Sequence, residues 1–222
     1  MKYLIFFITI ISLKLYAADD VATPSTYKIT MTKAELCTSS ACTTSTVLAE
    51  KTSTFDIASA SAGADVGDWI TSFALEVGTT YTHVKATMNT TFTIAGYTTN
   101  SSISSDNCVT EASPSTASAH NTPALITGSN ATTNAEMSFV VPNPVNSENG
   151  SVYGDLTGTF STNGLTKSTD ANTMYWIGAL SSSYTPTANS APKFTISFDV
   201  TDQLKSTQAV LIHATCGLNH RQ

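Results

Sequence analysis

Charge is scarce in this chain. Only 12% of its 222 residues are Asp, Glu, Lys or Arg, with 10 basic against 16 acidic side chains. The basic residues form no cluster able to neutralise several phosphates, so nucleic acid is not an expected partner. Disordered chains join low hydrophobicity to high charge, whereas here 41% of residues are hydrophobic. Long apolar runs are absent except at the start. "YLIFFITIISL", Tyr3 to Leu13, falls short of the ~20 residues a helix needs to cross a bilayer. Preceded by Met1-Lys2 and followed by small residues, it reads as a secretory signal peptide. Cleavage is expected after Ala17, with Leu15 and Ala17 at the −3 and −1 positions. No cysteine follows the run, which argues against a lipid anchor, and no second run argues for a membrane span. Losing Lys2 and Lys14 leaves 8 basic against 16 acidic residues, a formal charge of −8 that favours solubility.

Cysteine is also sparse: Cys37, Cys42, Cys108 and Cys216. An even number in an exported chain suggests two disulfides, for which three pairings exist. The short "CTSSAC" loop between two strand-like segments favours Cys37–Cys42, leaving Cys108–Cys216. Zinc would need a second closely spaced ligand pair, and C-x4-C stands alone.

Recognisable catalytic patterns are missing. His83, His120, His213 and His220 have no metal-ligand spacing, and there is no H-E-x-x-H or G-x-S-x-G. His83 falls on the polar face of a strand beside Lys85. Asp65 with Asp68, and Asp199 with Asp202, fit turns and strand ends better than a calcium site. No catalytic residue, metal ligand or cofactor is therefore expected. Trp69 and Trp176 are the candidate aromatic platforms for a glycan. Trp176 reads as core, and Trp69 lies in a Gly/Asp-rich turn.

What the chain has in abundance is threonine (39) and serine (28). With Val, Ile, Phe and Tyr, Thr suits a pleated surface, which points to an all-β protein. Tyr27, Ile29 and Met31 alternate with Lys28, Thr30 and Thr32 as in a half-buried strand. "TVLAEKTSTFDIA" reads as one broken strand or two short ones, and "DWITSFAL" leans towards strand. The longest alternation places Val84, Ala86, Met88, Thr90, Phe92 and Ile94 on one face and predicts a central strand. Residues 100–130 form a Ser/Thr/Asn-rich loop or insertion with short strands at "NCVTEA" and "PALIT". "AEMSFVV" aligns Met137, Phe139 and Val141. Asn149-Gly150 and Asn163-Gly164 predict type I′ turns around a strand carrying Val152, Leu156 and Phe160. "MYWIGAL" predicts a strand buried on both sides, and "KFTISFDV" and "QAVLIHATC" predict the last two.

One turn adds a resemblance. Leu75-x-Val77-Gly78-Thr79-x-Tyr81 is similar to the Leu-x-Pro-Gly-Thr-x-Tyr corner of fibronectin type III domains, with Val77 replacing Pro. The resemblance implies a buried Tyr81 whose hydroxyl bonds backbone near the preceding turn. The expectation is a signal peptide over 1–17 and one all-β domain over 18–222. Its expected fold is a disulfide-tied immunoglobulin-like or Greek-key β-sandwich of about nine to eleven antiparallel strands. Such a chain suits a non-catalytic exported surface or envelope protein: an adhesion, appendage or structural module in the periplasm, at the cell surface or outside the cell. Expected partners are other surface proteins, copies of itself or glycans. The alternative is a periplasmic or extracellular ligand- or carbohydrate-binding β-sandwich module.

Overall fold

A computed structural model of the chain describes residues 20–59, 69–70, 73–99, 107–110, 112, 124–126, 132–145, 155–188, 198–208 and 216–218. These hold thirteen strands and one short helix. The strands are β1 Asp20–Ala22, β2 Thr26–Cys37, β3 Ser45–Asp56, β4 Tyr81–Asn89, β5 Thr91–Ala95, β6 Tyr97–Thr99 and β7 Asn107–Val109. β8 Ala124–Ile126 and β9 Met137–Val140 follow, then the helix α1 Thr157–Thr162, β10 Leu165–Lys167, β11 Thr173–Tyr184, β12 Leu204–Gln208 and β13 Cys216–Leu218. The protein is mostly β and its sheets are antiparallel. A seven-stranded sheet runs β10-β11-β4-β2-β5-β9 with β3 also paired to β2; two three-stranded sheets run β1-β12-β13 and β6-β7-β8.

β2 is the axis of the large sheet. One edge pairs with β3, and the other pairs first with β5 and then with β4. Its apolar residues are Tyr27, Ile29 and Met31, then Ala34 and Leu36, so their parity changes after Met31. Strict alternation would turn Ala34 and Leu36 to the opposite face. The register shifts between Met31 and Lys33 in both the β2–β3 and β2–β4 pairings. This bulge inserts Thr32 and keeps all five side chains buried on one face. Met31 and Leu36 are fully buried, each worth roughly 1.5–3 kcal/mol of hydrophobic stabilisation.

Tyr81 to Thr99 is one strand path with two changes of partner. β4 pairs with β11, whereas β5 pairs with β9. The change falls at Thr90, a buried residue. Its N–H donates to the Asn172 carbonyl (2.9 Å), and its own carbonyl accepts from the Val141 N–H (2.8 Å). Its hydroxyl donates to the Ala171 carbonyl at 3.1 Å. Thr90 thus stands at a fork between the β9 and β11 branches. The second change falls at Gly96, where the path leaves the large sheet for β6. A Cβ there would lie 2.8 Å from Leu204 Cδ2 and 3.3 Å from Pro24 Cα, which explains the glycine.

Several expected elements are present. The alternation in β2, in β4–β5 and in β9 matches the buried face, and β7 and β8 lie in "NCVTEA" and "PALIT". Other expectations are corrected. The strands exceed the expected number because several have only three residues. β3 is continuous, its irregularities taken up by two register shifts against β2. The described residues of "DWITSFAL" form a turn and irregular chain instead of a strand.

The expected strand around Leu156 and Phe160 is in part the helix α1. Four-residue spacing puts two side chains on one face of a strand and equally on one face of a helix. Here Asp155 Oδ1 accepts the Thr157 N–H at 2.9 Å, the Phe160 N–H reaches the Leu156 carbonyl, and both apolar residues pack into the core. Asn163-Gly164 ends this helix and is no type I′ turn, since Asn163 has φ −97° and only Gly164, at +69°, is left-handed. β11 is not buried on both sides; Met174 alone among its residues is fully inside. The segments 1–19 and 189–197, Asn149-Gly150 and much of 100–130 lie outside the described residues.

Candidate functional site

The expected cysteine sites divide by what the structure describes. Cys37 and Cys42 are joined across the β2–β3 connection, with Cα atoms 4.9 Å apart. The Thr38 N–H to Thr44 carbonyl bond (3.2 Å) closes the same turn. Cys108 is buried in β7 and is not free. Its expected partner, Cys216, belongs to β13, whose side chains lie outside the described residues.

Tyr81 is buried, as the corner resemblance implies, but its hydroxyl bonds elsewhere. It lies 2.8 Å from Thr46 Oγ1 on β3 and does not bond the backbone of the preceding turn. That turn is held otherwise, by the Gly78 N–H donating to the Pro186 carbonyl at 3.1 Å. Trp69 is core and no glycan platform. It is 3% exposed, its indole N–H donates to the Lys51 carbonyl at 2.9 Å, and its ring meets Phe55 edge-on. Trp176 packs against the same core.

Of the expected turn aspartates, Asp199 accepts the Thr201 N–H at 2.9 Å, and this bond holds its carboxyl below the usual carboxylate range. Asp202 has the left-handed φ of a turn residue. Asp65 and Asp68 lie outside the described residues, as do His120, His213 and His220. His83 Nδ1 is 2.8 Å from Thr82 Oγ1. Among the described residues no three His, Cys, Asp or Glu side chains converge as a metal site would require. No helix among them is long and apolar enough to cross a membrane.

Three polar arrangements stand out. The first lies on the face of the large sheet opposite the core. Glu35, 7% exposed, accepts from Ser45 Oγ at 2.9 Å and pairs with Lys33 (3.3 Å) and Lys85 (3.8 Å). Lys85 also lies over the Tyr175 ring, 4.4 Å from its centre, so one ammonium serves both a carboxylate and a π-face. Register puts these groups side by side, since Glu35 faces Lys85 and Thr87 faces Tyr175. The second is a cleft of about 260 Å³ beside Gly96, lined in part by Ser25, Tyr97, Thr99 and Asn134.

The third arrangement sits at the fork. Asn143 follows β9, while Lys167 ends β10 and Asp170 precedes β11. Asn143 and Lys167 are both buried. Lys167 Nζ contacts Asn143 Oδ1, and the Asp170 N–H donates to that same oxygen at 3.1 Å. On the other side of the amide, Asn143 Nδ2 donates to Asp170 Oδ1 at 3.0 Å. Asp170 reaches both ends of one amide because its φ is +53°, a left-handed conformation that Asp tolerates better than most residues. An amide is thus held between an amine and a carboxylate. Sequence reasoning missed this trio, whose members lie in ordinary-looking "VPNPV" and "LTKSTD" segments.

No protein-family model, no curated protein and no solved structure matches this chain.

Proposed function

We propose that the chain is a non-catalytic exported surface or envelope protein, acting as an adhesion, appendage or structural module. The observation that carries this reading is how the strands are fastened to one another. The β2–β3 connection carries a disulfide, Tyr81 ties β4 to β3, and the fork between β9 and β11 is closed by the buried Asn143 and Lys167 together with the exposed Asp170. Fastenings of this kind resist local opening, a property that a load-bearing or protease-exposed module needs. The apolar run of residues 3–13 and the Ala17-Ala18 junction support export with removal of 1–17. A second disulfide, Cys108–Cys216, belongs to the same proposal.

For the finer fold we propose a two-layered Greek-key sandwich over 18–222. Its support is that Phe198, Val200 and Leu204 from the C-terminal part pack into the core of the large sheet. The immunoglobulin-like corner is not among the supports, because Tyr81 bonds to Thr46.

The second reading, a ligand- or carbohydrate-binding module, is favoured by the cleft beside Tyr97, whose hydroxyl and amide lining suits a neutral polar ligand. Fractionation of native cells with immuno-electron microscopy tests the first reading. The expected result is an envelope or extracellular location and a mature chain starting at Ala18. A cytosolic chain that still begins at Met1 would sink it. Retention on a glycan array, lost on Tyr97→Ala, would favour the second reading.

A further inference from the structure

The fork at Thr90 brings together the groups that an intramolecular amide cross-link needs. We propose that Lys167 and Asn143 form an isopeptide bond, with Asp170 as the group that moves the protons. The geometry supplies each part of the reaction. The nucleophile is in place, since Lys167 Nζ touches the Asn143 amide in a buried site. An oxyanion donor is in place, since the Asp170 N–H already points at Asn143 Oδ1. A proton carrier contacts the leaving group, since Asp170 Oδ1 accepts from Asn143 Nδ2. Folding fixes all three within one contact shell, which replaces a dilute encounter by a positioned one.

The step balances without any co-reactant. As the Lys167 ammonium loses one proton and the Asp170 carboxylate takes one up, the neutral amine attacks Asn143 Cγ. The carbonyl electron pair moves onto Oδ1, where the Asp170 N–H stabilises it. As the tetrahedral centre collapses, the Cγ–Nδ2 bond breaks. The attacking nitrogen loses its remaining surplus proton, and the departing nitrogen gains two. One ammonium ion leaves, Asp170 ends as the carboxylate it began as, and Lys167 Nζ is joined to Asn143 Cγ. Nothing is oxidised or reduced.

The position gives the bond a purpose. The β5–β9 and β4–β11 branches separate at Thr90, and at that residue three hydrogen bonds join them. A covalent bond from the end of the β9 branch to β10 would stop the fork from opening, and would enclose α1 within the closed loop.

The test is the intact mass of the purified, folded full chain after reduction and denaturation. The expected mass is lower than that of the chain's own sequence by one ammonia, with proteolysis yielding a branched peptide that links Asn143 to Lys167. A full mass with the two segments recovered as separate peptides overturns the proposal. Lys167→Arg keeps the charge but offers no nucleophilic amine, and should restore the full mass. Asp170→Asn, checked for folding by circular dichroism, should also retain the ammonia; a folded Asp170→Asn chain that still lost it would overturn the assigned role of Asp170. The mass and branched peptide of the unsubstituted chain decide the cross-link even where a variant fails to fold.

Discussion

Thr90 and Gly96 lie six residues apart on one strand path, and each marks a change of partner, yet the two junctions are satisfied in different ways. At Thr90 the residue itself does the work: its N–H, carbonyl and hydroxyl all bond to the two departing branches. At Gly96 there is no side chain to help, and a neighbour supplies the hydroxyl. Thr110 Oγ1 accepts the Gly96 N–H at 3.0 Å and lies 3.2 Å from the Gly96 carbonyl and 2.8 Å from that of Ala135. Backbone bonds complete the junction, from the Thr110 N–H to Gly96 and from the Ala135 N–H to Thr110. A strand that changes partner interrupts its ladder, and buried backbone groups left there must find other partners. Threonine is suited to that task because one hydroxyl both donates and accepts. The richness in threonine therefore has a structural use beyond covering wet faces.

Removing one hydroxyl at a time while keeping shape separates the two junctions. Thr110→Val should show the largest effect. It leaves the Gly96 N–H without its acceptor at a site where Thr110 is 1% exposed, so no water can replace it cheaply. We expect a loss of about 3 kcal/mol, read as a lower denaturant midpoint at unchanged slope. A loss no larger than that of a surface substitution would show that the Gly96 junction opens to water. Thr90→Val should cost less, about 1–2 kcal/mol, because its backbone bonds to Asn172 and Val141 survive and only the bond to Ala171 is lost. Chemical denaturation checks this too, and a cost above that of Thr110→Val would reverse the ranking of the two junctions.

Much of this frame was legible in the residues themselves. Alternation revealed the buried face of β4 and β5 because the apolar period of a strand survives a change of partner: Met88, Thr90, Phe92 and Ile94 remain in step across the fork. The bulge in β2 left its own trace, the three-residue step from Met31 to Ala34. The spacing of Cys37 and Cys42 likewise carried their pairing. The helix was hidden because Leu156 and Phe160 satisfy both periods, and the Asp155 turn that selects the helix has no unique pattern. Asn143, Lys167 and Asp170 were hidden for a different reason. Nothing in their spacing places them together; they meet only because the strand path forks at Thr90 and returns β9 and β10 to the same point.

The smallest expected effect belongs to the start of the same path, at Tyr81. Its ring is fully buried, but its hydroxyl faces Thr46, a half-buried residue near the exposed Val47. Tyr81→Phe preserves the ring and removes one side of a hydroxyl–hydroxyl pair. Thr46 can then turn its hydroxyl towards solvent, so the loss should be about 1 kcal/mol or less, below both junction variants. Thr46→Val should cost more than Tyr81→Phe, because it strands the phenol oxygen deep in the core instead of a hydroxyl near the surface. Double-mutant analysis separates the bond from these desolvation effects. A backbone bond of the corner type predicts the opposite pattern: a large loss for Tyr81→Phe and none for Thr46→Val. Melting the two variants side by side therefore distinguishes a tie between β4 and β3 from a corner that braces its own turn.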